Sequence, residues 1–144
     1  MQYNLFGNTG MYVSELCLGT MTIGGRGYWE AIGTLGASMA TELLGTFYEN
    51  GGDFIDSADG YGFGKSEEFV GEALKKLDIP REEWVIATKG MLRMGPGVNN
   101  VGLSKKHITE AINGSLKRLQ VDYIDLYQIH GWIHSLQSKK LLVH

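Results

Sequence analysis

The 144-residue chain has little covalent or rigid reinforcement, with one cysteine and two prolines. The single thiol, Cys17, cannot form a disulfide within the chain, which is typical of proteins from a reducing compartment. It lies in the apolar run LCLGT, so we interpret it as a small packed hydrophobe and not as a nucleophile. The sequence has no run of 18 apolar residues and no leader-like N-terminal segment. We therefore expect a cytoplasmic protein with no membrane partner.

An excess of one charge sign is also lacking. The net charge is −3 and the lysine pairs are scattered, so we predict no nucleic-acid partner. His107, His134 and His144 are not spaced with cysteines or carboxylates as metal ligands are, so we predict no metal site. No G-x-G-x-x-G follows a predicted strand, and the GFG at 62–64 lacks that context. A Rossmann-type dinucleotide loop is therefore not expected.

What the sequence does contain is a regular alternation of strand and helix patterns. Apolar residues with helical spacing predict helices over 39–50, 66–77 and 104–120. Ser38 and Ser66 are the expected N-caps of the first two helices. Near-continuous apolar runs predict strands covered on both faces, over 16–20, 53–58, 84–89 and 124–130. Two short apolar runs around Gly-Asn-Thr-Gly predict an N-terminal β-hairpin. The fold class is therefore α/β, with about four parallel strands and alternating helices.

Polar residues stand where the predicted strands end. Gly19-Thr20, Asp56, Lys89 and His130 close the four strands, and Tyr61 follows the second strand by five residues. The carboxyl ends of parallel strands meet at one edge of a sheet, so these groups should share one mouth. An ammonium near a phenol favours the phenolate, and a carboxylate keeps that ammonium charged. With an imidazole to hold a carbonyl oxygen, the set suits proton transfer to that oxygen as a hydride reaches its carbon.

The same segments resemble the aldo-keto reductase superfamily. VSELCLGTM is similar to the family's first strand, and FIDSADGYGFGKSEEFVGEAL is similar to its signature of an aspartate followed five residues later by a tyrosine. VIATK is similar to the strand with the catalytic lysine. GLSKKHITEAINGSLKRLQVDYIDLYQIHGW is similar to the third helix and the fourth strand, which ends in the catalytic histidine. Any one of these motifs alone would be a weak signal, but they occur in family order over residues 1 to about 132.

The resemblance implies the first half of a TIM-type (β/α)8 barrel whose bottom is closed by the hairpin. It implies NADPH-dependent reduction of an aldehyde, ketone or quinone to an alcohol. By position, Tyr61 would be the general acid, assisted by Lys89, which Asp56 would hold. His130 would orient the substrate carbonyl. The resemblance also implies that some residues contact the cofactor, NADP: Gly19, Thr20, Met21 and Asp56. It implies that Trp132 contacts the substrate.

The resemblance also marks where the chain departs from the family. Residues 1–132 are similar to the N-terminal part of an aldo-keto reductase domain, whereas the tail over 133–144 does not match the family pattern. Half a barrel exposes two edge strands, so we expect either a homodimer of half-barrels or a fragment of low stability. Activity of the 144-residue chain alone would then be weak or absent. Two further interpretations stay open: a non-catalytic binding protein related to channel β-subunits, which differ from enzymes at the position of His130, and a non-functional truncation product.

Overall fold

The structure, a computed structural model, describes residues 1–131. It opens with an antiparallel hairpin formed by β1 (Tyr3–Leu5) and β2 (Tyr12–Ser14). The Phe6 ring from the hairpin turn packs edge-on against Phe54, with centroids 5.9 Å apart. Because Phe54 begins a strand of the main sheet, the hairpin covers the end of the sheet at which the strands start.

Four parallel strands then alternate with three helices. The strands lie side by side in chain order: β3 (Cys17–Gly19), β4 (Phe54–Asp56), β5 (Val85–Gly90) and β6 (Leu126–Ile129). The helices between them are α1 (Ala37–Glu49), α2 (Lys65–Leu77) and α3 (Lys105–Leu119). The predicted fold class is confirmed: a hairpin followed by a parallel α/β sheet, the arrangement of a partial barrel.

The hydrophobic core lies between the sheet and the helices. Successive strand residues point to opposite faces, so Ile55 and Ile86 face the helices and are fully buried, whereas Asp56 and Lys89 face the other side. The helices and the start of β5 complete the core with Leu44, Val70, Ala73, Trp84 and Leu119. Burial of this apolar layer is the main stabilising contribution to the fold, and it fixes the strand ends relative to one another. Within residues 1–131, none of the helices has the length and apolar character needed to cross a membrane.

Two predicted helix caps are wrong. The first helix begins at Ala37 after Gly36, so Ser38 lies inside its first turn. The second helix begins at Lys65, one residue before Ser66. Gly64, with φ of 90°, is its N-cap in place of the serine. Ser66 is instead buried, and its hydroxyl donates to the carbonyl oxygen of Thr20 at 2.8 Å.

The interpretation of Cys17 as a packed residue is also wrong. Cys17 is exposed, because β3 is an edge strand and the thiol points to the face of the sheet opposite the helices. The sequence pattern could not reveal this, because an apolar run looks the same whether one or both of its faces are covered. Although the residue is exposed, partial burial of the sulfur raises the pKa of the thiol to about 11, and the negative charge of Asp56 adds to that shift while Lys89 opposes it. The thiol is therefore protonated at neutral pH.

Candidate active site

The carboxyl ends of the strands bring the predicted polar residues together. Asp56 is the last residue of β4, and Lys89 is the penultimate residue of β5. His130 follows β6, and its backbone N–H donates to the Gly90 carbonyl oxygen at 3.1 Å. Parallel pairing sets Asp56 beside Gly19 and Ala87. Adjacent strands therefore deliver a carboxylate, an ammonium and an imidazole to one edge of the sheet.

Lys89 makes the central contacts of this site. Its Nζ donates to Asp56 Oδ2 at 2.7 Å, to the Ser57 carbonyl oxygen at 2.8 Å and to Tyr61 Oη at 3.2 Å. An ammonium group has three hydrogens, so this set uses all of them. The Lys89 side chain is 13% exposed, so water competes weakly for these bonds. The lysine is held with one N–H directed at the phenol oxygen.

Asp56 is held in turn by a residue that the sequence analysis missed. Gln128, which pairs with Lys89 in the β5–β6 ladder, donates from Nε2 to Asp56 Oδ1 at 2.8 Å. Both carboxylate oxygens of Asp56 therefore have fixed partners. The sequence offered one signal for Gln128: it precedes His130 by two residues, and in an extended chain side chains two residues apart point to the same face.

The turn that carries Tyr61 is shaped by glycines. Tyr61 begins a short 3-10 turn in which Gly62, Phe63 and Gly64 all have positive φ. A Cβ atom on Gly62 would overlap the carbonyl oxygen of Gly24, so only glycine fits at this close approach. The loop after β3 is thereby pressed against the turn, and Tyr61 is only 9% exposed.

Two rings enclose the phenol. Trp29 lies edge-on to Tyr61 with centroids 5.6 Å apart, and His130 does so at 5.3 Å. Trp29 comes from the glycine-rich loop after β3, where Gly24 N–H donates to the Leu35 carbonyl oxygen at 2.8 Å. A role for Trp29 was not predictable from the sequence, because an aromatic residue in a long loop has no periodic signal.

The surroundings of His130 favour its neutral form. Burial lowers the pKa of His130 below its ordinary value, and the positive charge of Lys89 adds to this shift while Asp56 opposes it. Its Nδ1 is buried and has no hydrogen-bond partner within residues 1–131. At neutral pH the ring is therefore uncharged, a state in which it donates one N–H.

The predicted cofactor contacts have different environments. Gly19 and Met21 are exposed at the end of β3, and nothing lies within 4 Å of where a Cβ of Gly19 would be. Thr20 is fully buried, and its hydroxyl donates to Ser57 Oγ at 2.9 Å. Trp132 and the tail over 133–144 lie outside the described residues. In the described part of the chain, no group of three or more His, Cys, Asp or Glu side chains could hold a metal ion.

Comparison with known proteins identifies the family. The aldo/keto reductase family model matches residues 15–142, and the chain belongs to this family. An aryl-alcohol dehydrogenase from Pestalotiopsis microspora is 39% identical over 136 residues, which are 90% of this chain and 35% of that protein. A probable voltage-gated potassium channel subunit beta from Arabidopsis thaliana is 38% identical over 131 residues, which are 90% of this chain and 37% of that protein.

A solved structure of the family is also similar. The holo form of an aldo-keto reductase from Bacillus halodurans aligns with a TM-score of 0.77 and 33% identity, over 98% of this chain and 44% of that one. The chain thus spans about a third of the length of the curated relatives it matches, at 35% and 37% of theirs. The predicted resemblance to an N-terminal part of an aldo-keto reductase is confirmed.

Proposed function

We propose that this chain forms the proton-transfer half of an NADPH-dependent carbonyl reductase, with Tyr61 as the general acid. The observation that carries the proposal is the 3.2 Å hydrogen bond from Lys89 Nζ to Tyr61 Oη. Because the phenol oxygen accepts from the lysine, its own proton is free to go to another acceptor. A substrate carbonyl oxygen at the mouth is that acceptor, and positioned proton donation of this kind contributes about 10²–10⁴ in rate.

The neighbouring residues supply the conditions for that step. Asp56 balances the charge of Lys89 at 2.7 Å, and Gln128 prevents the carboxylate from turning away. As the phenol gives up its proton, the Lys89 ammonium stabilises the phenolate that forms. The neutral His130 ring lies against Tyr61 and donates to the same carbonyl oxygen. The positions of Lys89 and His130 therefore support the proposal that the substrate carbonyl is polarised and protonated at its oxygen atom.

The residues present fit a nicotinamide cofactor at this mouth. NADPH, when bound, supplies the hydride that the carbonyl carbon receives. Gly19 and Met21 are exposed beside Asp56, and the glycine leaves its surroundings open to a flat ring. Thr20 holds the loop after β3 through Ser57 and Ser66, and this keeps that open edge in place. Trp29 covers one side of Tyr61, which favours aromatic or other planar carbonyl compounds as substrates.

The test is a binding titration followed by turnover. NADPH is added to the 144-residue chain while quenching of Trp29, Trp84 and Trp132 fluorescence and enhancement of nicotinamide emission are followed. Benzaldehyde and a quinone are then supplied, and loss of absorbance at the nicotinamide band is recorded. Binding with turnover supports the proposal. Absence of binding at millimolar NADPH contradicts it for this chain.

A second candidate function is favoured by one comparison. The Arabidopsis channel subunit is about as similar to this chain as the dehydrogenase is, at 38% against 39% identity. The chain would then be a regulatory protein that binds the cofactor without turning it over. Cofactor binding without consumption of NADPH on any carbonyl probe would favour this function over the first.

A further inference from the structure

A second group of polar side chains lies on the helix-facing side of the sheet, directly behind the site. We call it the rear cluster, and its members are Asp59, Glu67, Thr88, Arg118 and Tyr127. Thr88 precedes Lys89 in β5, so the two side chains point to opposite faces. Thr88 Oγ1 donates to Glu67 Oε1 at 2.5 Å, and Arg118 Nε donates to Glu67 Oε2 at 2.7 Å. Glu67 is fully buried but has a partner on each oxygen.

Two members of the rear cluster have no such partners. Asp59 is fully buried, and within residues 1–131 neither of its carboxyl oxygens has a hydrogen-bond partner. The Tyr127 hydroxyl is likewise buried and unpaired there. A Cβ on Gly90 would overlap this hydroxyl, so the glycine makes room for the phenol behind β5. An unpaired buried carboxylate is far more costly than an unpaired neutral acid, so this geometry favours the protonated form of Asp59.

The charges around Asp59 act in the same direction. Burial raises the pKa of Asp59 to about 7, and the negative charge of Glu67 on α2 adds to that shift. Arg118 on α3 opposes it, and so does the nearby Gly60 backbone N–H, which is not in hydrogen-bonding geometry with the carboxyl group. Tyr127 on β6 is uncharged, since burial and the two carboxyl groups raise its pKa. From β5 the cluster receives only the uncharged Thr88. Asp59 therefore changes charge near neutral pH.

Asp59 is linked to the catalytic pair through the backbone. Its N–H donates to the Lys89 carbonyl oxygen at 3.0 Å, and Tyr61 follows it by two residues. The Ser57 carbonyl oxygen, on the same segment, accepts from Lys89 Nζ. The segment over 56–61 thus contacts the lysine at both its backbone and its ammonium group while also carrying the tyrosine. A displacement of Asp59 moves both groups.

We propose that Asp59 is a positioning residue whose protonated carboxyl group keeps the segment over 56–61 seated on the rear cluster, and whose ionisation shifts Tyr61 relative to Lys89. Protonation removes the charge that the buried carboxyl group would otherwise carry without a hydrogen-bond partner, so the group stays buried in the cluster. When it ionises, two buried carboxylates face each other and compete for Arg118. Ionised Asp59 then recruits the Tyr127 hydroxyl as a charge-assisted donor and draws the segment toward β6. Only the effect on turnover depends on the proposed function.

The experiment is an NMR titration of the 144-residue chain without cofactor or substrate. Side-chain carboxyl ¹³C shifts of aspartates, the Lys89 amide and the Tyr61 ring are followed from pH 5 to 9. We expect a midpoint of about 7 for Asp59, with a matching inflection at Lys89 and Tyr61. In Asp59→Asn that inflection should vanish, while the exposed control Asp122→Asn should keep it.

A second variant keeps the proposal testable if Asp59→Asn fails to fold. Tyr127→Phe keeps the ring and removes only the hydroxyl, so the charged form of Asp59 loses its donor and the midpoint should rise. An Asp59 midpoint near the reference value of about 4 overturns the proposal, as does an inflection at Lys89 that persists in Asp59→Asn. No NADPH is present, so these outcomes are independent of whether the chain reduces carbonyls.

Discussion

Lys89 Nζ and Tyr61 Oη lie 3.2 Å apart, and Asp56 and the Ser57 carbonyl oxygen accept the other two ammonium hydrogens, so the third is directed at the phenol. The first prediction concerns this pair. Tyr61→Phe removes the transferable proton but keeps the ring between Trp29 and His130. Carbonyl reduction should fall by about 10²–10⁴, while NADPH affinity changes less than about twofold.

Turnover and fluorescence titration measure these two quantities separately. Tyr12→Phe is the matched control, because Tyr12 is 63% exposed on the hairpin and far from the site in the fold. If Tyr61→Phe kept full turnover, Tyr61 would not be the proton donor.

Gln128 is predicted to be a positioning residue for Asp56. Gln128→Met removes the 2.8 Å hydrogen bond, and Gln128→Glu replaces the donor with a second carboxylate. The methionine variant should lose about 1 kcal/mol of stability at pH 7, and the glutamate variant should lose more through repulsion. Unfolding in urea at pH 7 and pH 4 distinguishes the two. The extra loss in the glutamate variant should shrink at pH 4, where carboxyl groups take up protons; equal losses at both pH values would argue against charge repulsion.

Removing one partner of the buried ion pair should be costly. Arg118→Met leaves the fully buried Glu67 with Thr88 as its only partner. The free energy of unfolding should drop by about 3–5 kcal/mol, the usual range for an uncompensated buried charge. Lys117→Met, at the exposed neighbouring position, should change it by less than about 0.5 kcal/mol. Chemical denaturation of both variants measures the difference, and a similar small effect in each would contradict a stabilising role for the pair.

The pH dependence of stability should carry the signature of Asp59. Its pKa is raised from 3.8 to about 7 on folding, so the folded state holds this proton more tightly than the unfolded state does. The associated stability is fully present below pH 4 and is lost progressively up to pH 7, to a total of about 4 kcal/mol. The stability of Asp59→Asn relative to the wild type should therefore increase as the pH rises from 4 to 7.

His130 acts in the opposite sense, because its pKa is lowered on folding and protonation of the unfolded chain lowers stability in acid. Its contribution is the same in both proteins, so the difference in melting temperature between wild type and Asp59→Asn isolates Asp59. A difference that stays constant from pH 4 to pH 8 would be inconsistent with the shifted pKa.

We also propose that two copies of the chain associate through the edges β3 and β6. Within residues 1–131 both strands lie at the edges of the sheet with no neighbouring strand on their outer side, and Ile129 at the second edge is 47% exposed. Unpaired edges favour strand addition by another chain. Light scattering on a sizing column should give twice the chain mass at micromolar concentration. A monomer with a cooperative melt would contradict the association.

Much of the fold was predictable from the sequence, because strand and helix periods are local signals. The three helices begin and end within two residues of their predicted bounds, and the strands lie side by side in chain order, as consecutive elements usually do. Gly64 shows the limit of that approach. Its left-handed conformation moves the start of α2, and this frees Ser66 to bond Thr20 instead of capping the helix.

The candidate site was predictable as far as its residues stand at strand ends. Asp56, Lys89 and His130 are located by that position alone, and Tyr61 by its spacing from Asp56. The roles of Gln128 and Glu67 were harder to predict, because each role depends on which residue of a neighbouring strand or helix the side chain contacts. Glu67 is one of two acidic residues in the first turn of α2, where negative charge interacts favourably with the helix dipole in any protein. That position gives no sign that Glu67 also pairs with Arg118, 51 residues further along the chain.

The exposed edge at β3 gives the protein a native chemical probe. Cys17 is the chain's only thiol, and it lies on the open face of the sheet. With a pKa of about 11 it alkylates slowly near pH 7 and faster in alkaline buffer, so its labelling rate can be set by pH. Any partner, domain or second copy that seals this face would protect the thiol from reagent. Mass spectrometry of a single alkylation would therefore report, in unmodified protein, whether the barrel wall is closed.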